Sequence, residues 1–559
     1  MKSVLRQVAI LAALCLTTAS SSLSQEAQDP LGSKVDSMFA EFDHLESPGW
    51  AVLAVRRGEV VLRRGYGMAN LEHQRPITAS TVFDIASVSK QFAAMAISIL
   101  VEQGVLSLDD DVRQYVPELP EFGHTITIRH LVHHTSGLRD WPGTLAVAGW
   151  RMDDVISFDQ ILTMAFNQQG LNFEPGSEYS YSNTGYNVLA EVVTRVTGQT
   201  FREWTDANIF KPLGMTSTHF HDDHTELVPN RAYGYARDSD GQFHAVPNGL
   251  TALGSSSLYT TIDDLAKWVI NFEEKRVGGA AVIDRMMQRG VLNDGTQLGY
   301  AFGLGVGRYR GLRTISHSGS WASFRTFLVH FPEQHFSVVV LGNHSPSDPN
   351  RAAYDLVDLY LADELSPRAP PPAAEEQTEP SDIPAALLDE YVGTYRLGPA
   401  WYVKITRSDN GFMTQATAED AFPMEARSDS VFWVPDYGAA MIFLRDDSGR
   451  VDRFRYRGMI CPRVADLPPP SAEQLTAYEG EYFSEELSTA YVVAVEQGEL
   501  VLRHRRHGVI SLTPAWSDDF RGGQWFLQSV EFDRGASGRV AGFRVTQSRS
   551  RNLRFVKRN

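Results

Sequence analysis

Apolar residues along this chain change their period several times, and those changes predict its elements. Phe92, Met95, Ala96, Ile99 and Leu100 recur at helical spacing, with Gly104 as a stop. Val35, Met38, Phe39 and Phe42 predict an earlier helix within 32–45. Two apolar runs, 50–56 and 60–66, flank Arg57-Gly58-Glu59 and predict a hairpin. Their mixed rather than alternating pattern predicts cover on both faces. Val188, Leu189, Val192, Val193 and Val196 mark one face of a later helix. Runs 304–308, 314–317, 324–330 and 336–341 read as strands. A closing helix over 351–365 carries Ala352, Leu356, Leu359 and Tyr360. Strand-forming sequence therefore brackets a helical middle. The economical fold is α+β, one sheet built from both ends of the segment 32–365 and flanked by helices.

Segment 366–384 is rich in Pro, Ala and Glu and reads as a linker. Beyond it come short strands, turns and an internal repeat. Leu388-x-x-Tyr391-x-Gly393-x-Tyr395 returns as Leu475-x-x-Tyr478-x-Gly480-x-Tyr482. Phe443 with Ser448-Gly449-Arg450-Val451 returns as Phe532 with Ser537-Gly538-Arg539-Val540. Each copy is large enough for a small antiparallel β-barrel, one over 385–466 and one over 471–559. One larger β-domain is the alternative, but the break at Pro468-Pro469-Pro470 favours two.

At 559 residues, with 43% hydrophobic and 21% charged residues, the chain has the composition of a soluble multidomain protein. Its first residues change that picture. Lys2 and Arg6, an apolar stretch 8–16 and small residues 17–24 predict a cleavable export signal over 1–24. Leu14 is too bulky to precede a lipidated Cys15. No apolar run is long enough to span a bilayer, so the expected location is periplasmic or secreted. Without the signal Cys461 stands alone, and no intrachain disulfide is possible. The net charge of −17 argues against nucleic acid or an anionic membrane as partner.

Three short pieces carry the candidate chemistry. In Ser87-Val88-Ser89-Lys90 the hydroxyl and the amine are one helical turn apart and can meet. Serine needs a base to take its proton, and a buried lysine at a positive helix end can serve. Tyr181-Ser182-Asn183 offers a phenol and an amide, two apart in an extended loop. His317-Ser318-Gly319-Ser320 lies on a predicted strand, where Gly319 removes a side chain at a place of close approach. Two histidine groups lie outside this set. His130, His133 and His134 read as helix-end and loop residues. His219, His221 and His224, beside Asp222 and Asp223, have metal-like spacing but read as a polar loop. No metal and no organic cofactor is expected.

The order of these pieces resembles the penicillin-recognising serine hydrolases: class C β-lactamases, D-alanyl-D-alanine carboxypeptidases, D-aminopeptidases and related esterases. The likeness runs over about 34–364 and includes His134-Thr135-Ser136-Gly137-Leu138, Pro175-Gly176 and Pro212-Leu213-Gly214-Met215. It implies an antiparallel sheet flanked by helices beside an all-helical region. By that resemblance Ser87 is acylated, and Lys90 and Tyr181 move its proton. Asn183, His317 and Gly319 bind substrate. The Ser87 and Ser320 N–H groups form an oxyanion hole. His317 stands where most β-lactamases carry lysine, which removes a permanent positive charge. The tandem barrels resemble those appended to D-aminopeptidases, where they border the active site. The basic run Arg503, His504, Arg505, Arg506 and His507 is a candidate for such a loop or for a solvated hairpin. The expected activity is hydrolysis of a small peptide, amide or ester containing a D-amino acid, aminopeptidase-like, through a Ser87 acyl-enzyme. The alternatives are a β-lactamase or penicillin-binding carboxypeptidase, and a slowly deacylating sensor of peptidoglycan fragments.

Overall fold

The computed structural model describes residues 31–368, 383–408 and 411–558. The expected export signal over 1–24 and most of the expected linker lie outside the described residues. Six antiparallel strands form the main sheet: β1 (Trp50–Arg56), β2 (Glu59–Tyr66), β3 (Gly305–Tyr309), β4 (Leu312–Trp321), β5 (Phe324–Phe331) and β6 (Phe336–Gly342). Their spatial order is β3-β4-β5-β6-β1-β2, so the two ends of the segment meet where Trp50 pairs with Gly342.

The mixed apolar pattern of β1 has a physical reason. Successive side chains point to opposite faces, and both faces are covered. Val52 and Ala54 join a cluster with Val35 and Phe39 of α1 (Gly32–Phe39) and with Leu356 and Val357 of a late helix (Pro349–Tyr360). Ala51, Leu53 and Val55 join the larger cluster around α2 (Lys90–Glu102). Every residue of α2 from Lys90 to Leu100 is buried. Each of its large apolar side chains removed from water contributes roughly 1.5–3 kcal/mol. Gly104 follows in the left-handed region at φ +70°, as a helix stop requires.

Strand β4 is longer than its apolar run. It continues through Ser318, Gly319 and Ser320, small residues that carry no hydrophobic signal. Residues 312–316 pair with β3 on one edge, while 317–321 pair only with β5 among the described strands. That leaves half of one strand edge open toward the helical region.

The C-terminal part contains two antiparallel β-units. The first is a nearly closed sheet of nine strands between Gly393 and Val464, and the second is a closed barrel of eight between Gly480 and Lys557. The repeated tyrosines do the same work in both. Tyr395 donates its hydroxyl to the Tyr391 carbonyl at 2.9 Å, and Tyr482 donates to Tyr478 at 2.6 Å.

Candidate active site

Ser87 does not lie inside α2. It sits in a 3₁₀ turn, Ala86–Ser89, immediately before the helix begins at Lys90. Ala86 adopts φ +48°, a conformation that costs an alanine roughly 1–2 kcal/mol. Several buried bonds hold it there. The Ala86 N–H donates to Asp84 Oδ1 at 2.8 Å, and Ser89 Oγ donates to the Ala86 carbonyl at 2.5 Å. Thr326 of β5 donates to the Ile85 carbonyl at 2.9 Å. Gly319 of β4 packs against this turn. A Cβ there would lie 2.3 Å from the Ile85 carbonyl oxygen and 3.0 Å from the Ser87 nitrogen. The close approach expected at Gly319 is thus by the chain's own nucleophile turn.

Lys90 is fully buried and makes three polar contacts through Nζ: Ser87 Oγ at 3.1 Å, Asn183 Oδ1 at 2.7 Å and the Ser255 carbonyl at 2.7 Å. Burial drives its pKa well below the lysine range, Asp140 works against that, and the Arg549 guanidinium adds to it. A neutral amine has two N–H donors and one lone pair. The Asn183 and Ser255 oxygens can only accept, so the lone pair falls to Ser87, whose hydroxyl can donate.

Tyr181 completes this group. Its ring centroid lies 4.8 Å from Lys90 Nζ, and burial pushes its pKa above the normal phenol range, with Ser87 pulling it back in part. The phenol is therefore protonated at neutral pH, and between the two groups the lysine amine is the available base. The Tyr181 ring packs on His134 at 4.2 Å. His134, expected in a loop, is buried and accepts the Ser182 N–H at 3.1 Å through Nδ1. Ser182 caps the helix Asn183–Thr197, so Asn183 is its first residue and not part of an extended loop.

Asn183 is held at both ends of its amide. Oδ1 accepts from Lys90, and Nδ2 donates to Asp140 Oδ2 at 3.1 Å, leaving one N–H for a ligand. Asp140 also accepts the Asn183 backbone N–H at 2.7 Å. Burial raises the Asp140 pKa, and Arg549 opposes that shift most. His317 is neutral: burial, reinforced by Lys90, lowers its pKa to about 3. Its Nδ1 donates to the Ser318 carbonyl at 2.6 Å, so Nε2 accepts the Tyr300 hydroxyl at 3.0 Å.

These side chains line a cleft of about 480 Å³ whose walls include Ser87, Tyr181, Asn183, His317, Ser320 and Arg549. Ser87, Lys90, Tyr181, Asn183, His317, Gly319 and Ser320 are thus brought together. Reading the sequence missed Asp140, Ser255, Tyr300 and Arg549. Asp140-Trp141-Pro142 is a helix-start signal, since Asp140 takes the N-cap position of Trp141–Val147 with proline in its first turn, although its carboxylate bonds Asn183 and not the helix end. Tyr300 and Arg549 carry no such mark.

Arg549 comes from the second barrel. It sits at the turn between the last two strands, Val540–Gln547 and Ser550–Lys557. Its carbonyl accepts the Asp140 N–H at 3.0 Å and Asn172 Nδ2 at 2.9 Å. The guanidinium lies 4.8 Å from the Tyr181 ring centroid and 3.5 Å from Asp140 Oδ2. The basic run 503–507 does something else. Arg506 pairs with Asp154 at 2.8 Å, and His507 Nε2 bonds the Ala146 carbonyl at 2.8 Å. That hairpin lines no part of the cleft: Arg506 and His507 dock the barrel on the hydrolase segment, while Arg503 and Arg505 stay exposed, as expected of a solvated hairpin.

A cleft-facing serine one turn before a buried lysine, an adjacent tyrosine and an open strand edge are the features of a serine hydrolase. The Beta-lactamase family profile matches residues 35–362, and the chain belongs to that family. It is 26% identical over 401 residues to penicillin-binding protein 4* of Bacillus subtilis, covering 68% of this chain and 87% of that one. It is 29% identical over 297 residues to the D-aminopeptidase of Gluconobacter oxydans, covering 53% of this chain and 56% of that enzyme. The match thus spans little more than half the length of that relative. The fold also matches the octameric penicillin-binding protein homologue of Pyrococcus abyssi, with a TM-score of 0.55 at 22% identity, over 86% of this chain and 99% of that one.

Proposed function

We propose that this chain is an exported hydrolase that forms an acyl-enzyme on Ser87 from a small peptide, amide or ester containing a D-amino acid. The observation that carries the reading is the contact set of Lys90, which leaves a lone pair for the Ser87 hydroxyl. In the first step the Ser87 proton passes to Lys90 and Oγ attacks the substrate carbonyl carbon. The Ser87 and Ser320 N–H groups receive the charge that develops on the carbonyl oxygen, worth about 10²–10³ in rate per donor. The proton then passes through Tyr181 to the departing amine or alkoxide. Water repeats the sequence to release the acid. Asn183 presents its free N–H to the substrate amide, and the open edge of β4 lies alongside.

Arg549 favours one substrate class within this reading. His317 is neutral and Lys90 is occupied, so Arg549 supplies the permanent positive charge among the described lining residues. It is half-exposed at the cleft mouth. A free carboxylate fits beside it better than a free amine. This favours a carboxypeptidase-like or β-lactam substrate over an aminopeptidase one.

The test is parallel steady-state hydrolysis of an N-acyl-D-alanyl-D-alanine, a D-alanine anilide and a neutral short-chain nitrophenyl ester. Ser87-dependent turnover led by the dipeptide supports both parts of the reading. Turnover led by the anilide overturns the carboxylate preference but keeps the hydrolase. Absence of Ser87-dependent turnover of all three overturns the reading.

A further inference from the structure

A second group of chemically capable side chains lies away from the cleft. The short strand His219–Phe220 pairs with Leu258–Thr260, which pairs in turn with Phe83–Asp84, the segment that leads into Ser87. Phe220 is buried in the core, while His219 and His221, on the opposite side of the alternation, meet Glu226. Glu226 Oε2 lies 3.7 Å from His219 Nε2 and 3.5 Å from His221 Nδ1. One ligand atom from each residue lies within 4.8 Å of the other two.

The second observation is an absence of partners. His221 has a side chain only 1% exposed, and neither of its ring nitrogens has a hydrogen-bond partner among the described residues. His219 Nε2 is likewise buried and unpartnered. Burying a polar group without a hydrogen bond costs about 1–3 kcal/mol, and an ion held by His219 Nε2 and His221 Nδ1 would satisfy two of these three nitrogens, leaving His221 Nε2. Packing on the Tyr259 ring, 4.5 Å from His221, fixes the imidazole but satisfies neither nitrogen.

We propose that His219, His221 and Glu226 form a structural site for a divalent transition metal, with Zn²⁺ the best match. Zinc takes histidine nitrogen and carboxylate oxygen at about 2.0–2.2 Å in a tetrahedron, which sets ligand atoms roughly 3.3 Å apart. The two histidine–carboxylate distances need to close by a few tenths of an ångström, and the two histidine nitrogens, within 4.8 Å of each other, by up to about 1.5 Å, a side-chain adjustment on binding. Water supplies the fourth position. Arg202 does not block the site. Its guanidinium binds Glu226 Oε1 and Oε2 at 2.8 and 2.7 Å and Asp222 Oδ1 at 2.7 Å. A carboxylate oxygen has a second lone pair for a metal, and an arginine behind a ligating carboxylate orients it. His224, suggested by spacing alone, is exposed and outside the group. The ion ties the loop carrying Glu226 to the small sheet that ends at the nucleophile turn. The inference is independent of the Ser87 reading and reverses the expectation that the chain binds no metal.

The test uses the full chain stripped with a chelator and then dialysed against low-micromolar Zn²⁺. Metal analysis is expected to find one ion per chain, and the melting temperature is expected to rise. Co²⁺ in its place is expected to give the visible absorption of a tetrahedral site. His219→Ala and Glu226→Gln are expected to weaken binding by about 100-fold or more and to abolish the melting shift, while His224→Ala behaves as wild type. Both test residues are partly exposed, and circular dichroism confirms that the variants fold. Less than stoichiometric binding by wild type, or equal binding by His219→Ala and Glu226→Gln, overturns the proposal.

Discussion

The hairpin that closes the first β-unit, Val451–Tyr456 and Met459–Val464, turns at Arg457-Gly458, and the one that closes the second turns at Ser548-Arg549. The repeat gives both hairpins the same place in their sheets. The first is built from six-residue strands and the second from eight-residue strands. Arg457 stays exposed, donating to the Tyr437 carbonyl of its own unit at 2.8 Å. Arg549 is carried into the catalytic cleft. The first unit leans on the second, where Tyr402 donates to Asp519 at 2.7 Å. The second leans on the hydrolase segment through the buried Arg139–Glu486 pair, the Tyr491 hydroxyl on the Val147 carbonyl at 3.0 Å and Ser550 on the Asp140 carbonyl at 3.1 Å. A modest lengthening of one hairpin, on a docked barrel, thus turns a repeat module into an active-site wall. Among the described residues, the cleft is lined by the hydrolase segment and by Arg549 of the second unit, and by no residue of the first unit.

That division can be broken one residue at a time. Ser87→Ala has the largest expected effect, a loss of at least about 10³-fold on every substrate with an unchanged melting curve. Turnover that survives would move the chemistry elsewhere. Lys90→Met follows, with a loss of about 10²–10⁴-fold. Wild-type kcat/KM should rise with pH as Lys90 loses its proton, at a pH below the usual lysine range because burial disfavours the charge. That limb should be missing from the Lys90→Met profile.

Arg139→Met tests the docking. It leaves Glu486 buried without its partner and should cost about 3–5 kcal/mol in denaturant unfolding. Adding Glu486→Gln should recover part of the loss, because no charge remains buried. Arg549→Gln should raise KM for carboxylate substrates by about 10–100-fold, the range of a lost charged hydrogen bond, and leave the neutral ester unchanged. Arg457→Gln, at the matching turn of the first unit, should change stability by less than about 0.5 kcal/mol and leave all kinetics alone. An Arg549→Gln that behaves like Arg457→Gln would erase the difference between the two units.

What was legible in the sequence follows from range. The Ser87–Lys90 pair is local, since i, i+3 spacing brings the groups together whether the turn is 3₁₀ or α. Strands β1, β5 and β6 are legible because burial on both faces leaves apolar runs, whereas β2, expected to be covered on both faces, lies at the sheet edge and is largely exposed. That both ends of the segment share one sheet rests in the sequence only on economy; the register that pairs Trp50 with Gly342 is not legible there. Arg549 was not legible. It occupies an exposed two-residue turn without periodicity, and its role depends on how one folded unit docks on another. The basic run 503–507 has stronger sequence character, yet Arg506 goes to Asp154, His507 to the Ala146 carbonyl and Arg503 to Glu496 of its own barrel. Charge density marked the docking hairpin, while a single arginine four strands later reached the site.

The most direct measurement is acid quench of wild type and Ser87→Ala on a short-chain nitrophenyl ester, followed by intact-mass and peptide analysis. The account predicts a mass increase of one acyl group on the peptide that contains Ser87, seen in wild type and absent from Ser87→Ala. An acyl group on another residue, or full turnover by Ser87→Ala, would contradict it.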